Sequence, residues 1–171
     1  MFNFSEEDVF YESKMKLMED YVPLIIHFSD ETEFFHLYHF RFNYRNNELE
    51  FHFNKNNNKL NHLSIVNIDK SCLEKGDVKK SISEKMVLVC DNSKWKDSDK
   101  LDSGNYISDG EKIKIIYNDT SILFYKESEV LNAITFKKLS KEFAVSINEQ
   151  GNIIAFIIFN LTPNQIEKII G

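Results

Sequence analysis

From Val22 the chain alternates apolar and polar residues with a period of two. Val22, Leu24, Ile26 and Phe28 fall on one face, and after an acidic turn at 29–31 the run Phe34, His36, Tyr38, Phe40, Phe42, Tyr44 repeats the pattern. Alternation of this kind marks half-buried strands. A polar turn at 44–48 leads into Leu49, Phe51 and Phe53 alternating with Glu50, His52 and Asn54, and the Lys/Asn run at 55–59 turns the chain into a strand over 60–68. The pattern predicts an antiparallel meander with one apolar and one wet face.

Ahead of the meander, Ser5 followed by Glu6, Glu7 and Asp8 has the form of an N-cap with an acidic first turn. It predicts a short helix over 5–19. Val9, Phe10, Met15, Leu17 and Met18 do not share one helical stripe, which leaves strand character near Met15 and Met18 open.

Beyond the meander the pattern weakens. Residues 69–83 suggest a short helix around 72–78, 86–90 read as a compact apolar strand, and 91–110 are polar, with lone Trp95 read as an anchor of that loop to the core in preference to an exposed contact. Strands resume over 112–117, 121–125, 131–136, 143–147 and 153–159, the last two joined by the turn residues Asn148, Glu149, Gln150, Gly151 and Asn152. A terminal helix follows from three signals: Thr162 as N-cap, Pro163 at the first helical position and Gln165 closing a capping box. Ile166, Ile169 and Ile170 form its apolar stripe.

These elements predict an α+β fold, mainly antiparallel sheet (an N-terminal meander plus C-terminal strands) with a short N-terminal helix and a C-terminal helix. A chain of 171 residues with 42% hydrophobic content has ample material for one core. The expectation is a single domain over 1–171, whose possible lobes, 1–90 and 111–171, are joined by the polar loop 91–110. No apolar run reaches the length of a membrane span, and the first residues lack the basic start and apolar stretch of a signal peptide, so a cytoplasmic protein with two free thiols, Cys72 and Cys90, is expected.

Charge narrows the partners. The net charge is −6, and residues 1–70, with 12 acidic and 7 basic groups, carry −5 of it. Nine carboxylates, Glu6, Glu7, Asp8, Glu12, Glu19, Asp20, Asp30, Glu31 and Glu33, stand within the first 33 residues against Lys14 and Lys16. Such a segment repels nucleic acid and suits a basic protein partner, although a plain solvated face explains it equally. Arginine, the residue for bidentate phosphate recognition, occurs only at Arg41 and Arg45.

Catalytic motifs are not in evidence. The five glycines form no phosphate-binding loop, and there is no G-x-S-x-G, H-E-x-x-H or C-x-x-C. The five histidines, His27, His36, His39, His52 and His62, all fall in the meander. Parity puts His36 and His39 on opposite faces of one strand, which favours scattered surface and cross-strand histidines over a metal site. His39 and Arg41 share the wet face of their strand, and with Glu50 and His52 they form a secondary candidate contact surface. No catalytic residue, metal or cofactor is therefore expected, and the protein reads as a non-enzyme. The alternatives are a metal-dependent hydrolase using the meander's histidines, or a structural or ligand-binding module.

Two resemblances add to this reading. Residues 121–160 resemble a small bacterial domain of unknown function built on a Tyr-Asp-x-Glu-x-Asp-x-Leu opening and a Gly-centred hairpin. Tyr125, Glu127, Glu129 and Leu131 stand near the opening positions, and Asn148, Gly151, Ile153, Ile154 and Ile158 in the hairpin, with Ala155 where Gly is usual and Ile157 where Glu is usual. The resemblance implies a β-hairpin module and no activity. The whole chain, with its acidic first third, its Leu49-Glu50-Phe51-His52-Phe53 and Leu63-Ser64-Ile65-Val66 strands and no catalytic set, is similar in type to the immunity proteins of bacterial contact-dependent growth inhibition and related polymorphic toxin systems. That resemblance implies binding and neutralisation of a cognate toxin domain, such as a basic nuclease, with the nine N-terminal carboxylates as the docking face.

Overall fold

A computed structural model describes residues 2–5, 13–18, 23–28, 37–44, 46–78, 81–91, 93 and 106–171. One sheet has six strands, in the order β10 (Tyr106–Asp109), β4 (Leu37–Tyr44), β5 (Asn47–Asn54), β6 (Leu60–Asn67), β3 (Leu24–His27) and β2 (Lys14–Leu17). A second has seven, in the order β7 (Leu73–Lys75), β11 (Ile113–Tyr117), β12 (Ile122–Lys126), β15 (Ile153–Ile158), β14 (Phe143–Ile147), β13 (Phe136–Lys138) and β8 (Ile82–Lys85). A two-stranded ribbon pairs β1 (Phe2–Ser5) with β9 (Val87–Cys90).

The two large sheets face each other across a shared aromatic core. Phe42 and Phe51 on the six-stranded sheet meet Phe156 at 6.3 and 5.2 Å between ring centroids, and Phe51 meets Phe143 at 6.2 Å. Phe2 of the ribbon stacks on Phe53 and meets Phe40 edge-on, so the ribbon is part of the same core. The outer face of the seven-stranded sheet is apolar too: Leu123, Ala144, Ala155, Ile157 and Phe136 pack with Val78 and Ile134 from the adjoining connections. The outer face of the six-stranded sheet instead carries polar side chains, Glu50, His52, His62 and Ser64 among them. A charged clasp ties one sheet to the other, since buried Lys126 on β12 donates to Asp109 of β10 at 2.7 Å and also pairs with Glu111. Burial alone would lower the Lys126 pKa, but those two carboxylates outweigh it and raise it.

The expected α+β class is corrected to a mostly β fold: strands hold 55% of the described residues and helical turns 11%. No N-terminal helix forms among them. Ser5, the expected cap, ends strand β1, where fully buried Phe2 pairs with Cys90. Met15 and Leu17 pack on the core while Lys14 and Lys16, alternating with them, face solvent, a period of two that overrides the capping signal. The helix expected around 72–78 is a single 3-10 turn, Lys70–Cys72, followed by β7, and the strand expected over 131–136 begins as a 3-10 turn, Leu131–Ala133. Three sheet-edge pairings, β10 with β4, β7 with β11 and β8 with β13, are parallel, where the meander pattern gave only antiparallel neighbours.

The terminal helix α1 (Pro163–Ile170) has its capping box in full. Thr162 Oγ1 accepts from the Gln165 N–H at 3.3 Å, and Gln165 Oε1 accepts from the Thr162 N–H at 2.8 Å. Ile166 and Ile169 bury into the main core. Thr162→Ala is expected to cost about 1 kcal/mol of stability in a urea titration. A loss below the error of that titration means that packing of the isoleucines alone holds the helix.

Candidate functional site

The outer face of the six-stranded sheet carries a row of imidazoles. Tyr44 pairs with Asn47, so only two residues separate β4 from β5, and that short connection fixes the register along the whole hairpin. It sets His39 opposite His52 and Arg41 opposite Glu50. The next two pairings continue the row: His52 lies opposite His62 on β6, and His62 opposite His27 on β3. Four of the five histidines thus cross four adjacent strands in one line. Within the described strands the shared faces of His39 with Arg41 and of His52 with Glu50 were legible in the sequence, but the alignment between strands was not. The short β4–β5 turn was the signal that could have found it.

The rings touch in sequence. His27 and His62 centroids are 5.6 Å apart, His62 and His52 stack at 3.9 Å with planes 14° apart, and His52 meets His39 edge-on at 4.7 Å. A second polar row runs beside the first, with Arg41, Glu50 and Ser64 in register. The Arg41 guanidinium pairs with Glu50 Oε1 and lies 3.4 Å from Glu48. Glu50 Oε2 turns toward the histidines, 3.3 Å from His52 Nε2 and 3.9 Å from His39 Nδ1. The longer of these is an electrostatic contact and not a hydrogen bond. His52 Nε2 also meets Ser64 Oγ at 3.0 Å, and His62 Nδ1 meets Asn61 Oδ1 at 2.8 Å.

Although polar, this face is largely out of water: Glu50, His52, His62 and Ser64 are each more than nine-tenths buried. Burial therefore dominates the electrostatics. It pushes the His52 pKa down to about 2, assisted by the neighbouring His62, His39 and Arg41, and that of His62 down to about 3, assisted by His27 and His39. His27 is lowered by burial and then by Lys16 and Lys14. For Glu50 burial acts the other way, but His39 and Arg41 outweigh it and hold the carboxyl below its ordinary value. At neutral pH His52 and His62 are thus a neutral stacked pair beside the ionised Glu50 carboxylate.

The secondary candidates His39, Arg41, Glu50 and His52 therefore converge on one patch. The nine primary candidates, Glu6, Glu7, Asp8, Glu12, Glu19, Asp20, Asp30, Glu31 and Glu33, lie outside the described residues, as do His36 and Trp95. Neither thiol joins the patch. Burial raises the Cys90 pKa to about 12, which makes it a core residue and no nucleophile, and Cys72 sits beside Asn47 at 3.4 Å. Compared with models of known protein families and with curated proteins, the chain matches none.

Proposed function

We propose that this chain is an immunity protein: a cytoplasmic binding protein that neutralises a cognate bacterial toxin domain by stoichiometric contact rather than by catalysis. The observation that carries the reading is the charge distribution, nine carboxylates against two lysines within residues 1–33 of a chain whose remaining charge is nearly balanced. A dense acidic segment steers a basic partner and supplies charged pairs for a tight interface. A cavity beside Cys72, lined by Ser71, Leu73, Glu74, Lys112 and Lys114, measures about 210 Å³, below the several hundred Å³ of ordinary small-molecule sites. No helix among the described residues is long and apolar enough to cross a membrane.

The test starts from the gene lying immediately upstream, where a cognate toxin would be encoded. Co-expression with this chain is expected to rescue growth from that product, and the two purified proteins to form a stable one-to-one complex. Reversing Glu6, Glu7, Asp8 and Glu12 to Lys should slow association and flatten its salt dependence with the circular dichroism spectrum unchanged. Rescue failure with a toxic neighbour, or no complex between the purified proteins, refutes the reading. An unchanged association rate in the reversed variant moves the interface away from the N-terminal segment, to the patch of His39, Arg41, Glu50 and His52.

A further inference from the structure

Three donors on the hairpin of β4 and β5, those of His39, Glu50 and His52, have ligand atoms all within 4.8 Å of one another. Two donors bonded at about 2.1 Å to one ion stand about 3.4 Å apart at a tetrahedral angle and about 3.0 Å apart at a right angle. The 3.3 Å between Glu50 Oε2 and His52 Nε2 already has this spacing. The 3.9 Å from Glu50 Oε2 to His39 Nδ1 closes with a small turn of the His39 ring, the most exposed side chain of the three. A carboxylate oxygen and two imidazole nitrogens gathered this closely can share one cation. A proton satisfies only one pair at a time, whereas a metal ion satisfies all three.

We infer that His39, Glu50 and His52 form a mononuclear site for a divalent transition ion of the zinc class, with its remaining coordination positions on the His39 side of the patch. Two nitrogens and one oxygen suit Zn²⁺ or Co²⁺ and disfavour Ca²⁺ and Mg²⁺, which take oxygen shells. Arg41 holds Glu50 by its other oxygen, Oε1, and so aims Oε2 at the histidines, the part that an outer partner plays for a ligating carboxylate. The two-residue connection between Tyr44 and Asn47 supplies the rigidity, because the register that pairs His39 with His52 leaves the donors no freedom to slide. An ion here cross-links β4 to β5. The assignment rests on the geometry of the three donors and not on the proposed toxin binding.

Untagged protein, stripped with a chelator and dialysed, is titrated with Co²⁺ as the optical probe and then with Zn²⁺ in competition. One equivalent of Co²⁺ is expected to bind with visible d–d absorption that Zn²⁺ abolishes. His39→Asn and Glu50→Gln should each weaken binding by about a hundredfold or more, since loss of an outer partner alone costs 10–100-fold. His27→Asn, in the same row but outside the triad, should bind as the parent does. A second readout needs no variant: long-range proton–nitrogen NMR spectra of the parent chain should show the ring nitrogens of His39 and His52 shifting as Zn²⁺ is added. Absence of saturable binding, equal affinity in folded His39→Asn and Glu50→Gln, or Zn²⁺ shifts confined to other histidines overturns the assignment.

Discussion

In chelator-containing buffer, stability should fall steeply as the pH drops from about 6 to about 4 and be insensitive to His52 and His62 above about 7.5. In the unfolded chain these imidazoles take up protons near the ordinary 6.5, while burial holds them neutral in the fold down to about 2 and about 3. Between those limits the unfolded chain binds more protons, so acid favours unfolding. The slope is up to about 1.4 kcal/mol per pH unit for each group, or roughly 2.7 for the pair at its steepest. Glu50 adds to the loss at the acid end, because a carboxyl held below its ordinary pKa stabilises the fold only while it stays ionised. Two pH units at that slope consume much of the roughly 5–15 kcal/mol that a domain of this size possesses. Urea titrations across the range give the curve, and His52→Gln with His62→Gln should flatten it. An unchanged slope in that double variant would show that other groups set the acid limit.

The second large effect is expected at Phe156. Its ring stacks on Phe124 of the neighbouring strand at 4.5 Å and meets Phe42, Phe51 and Phe143, so one side chain joins both halves of the core. Phe156→Ala removes the central ring of this cluster and should cost about 3–5 kcal/mol, while Phe156→Leu, which keeps most of the volume, should cost markedly less. Equilibrium unfolding in urea measures both. A cost near 1 kcal/mol for the alanine variant would mean that the two sheets do not depend on this contact.

How far the sequence reveals the molecule depends on whether the deciding interaction is local. The alternation through Phe40, Phe42, Leu49, Phe51 and Phe53 was legible because one face of that sheet is core. The capping box at Thr162 and Gln165 was legible because both partners lie within one turn. The strand at Tyr106–Asp109 was not, since four mixed residues in a polar stretch become a strand only by lying beside His39–Phe42. At its described ends the helix expected over 5–19 gives way to strand for the same reason: Ser5 satisfies a local rule, and the burial of Phe2 against Phe53 and Phe40 holds it in β1. Of the candidate patch, every residue type and face was readable, but convergence required register, and register is a property of two strands at once.

The parallel pairing at the edge of the six-stranded sheet has a consequence during synthesis. Strands β3 to β6 are complete once the ribosome has delivered Asn67, yet the strand that covers the outer edge of β4 runs from Tyr106 to Asp109, and the ribbon partner of Phe2–Ser5 arrives only with Val87–Cys90. A nascent chain paused between these points presents the N–H and C=O groups of β4 to any strand that passes, its own copy on a neighbouring ribosome included. Pairings that close such long loops also form slowly. Yield in a cell should therefore respond to translation speed and to chaperone supply more than the stability of the finished fold would suggest.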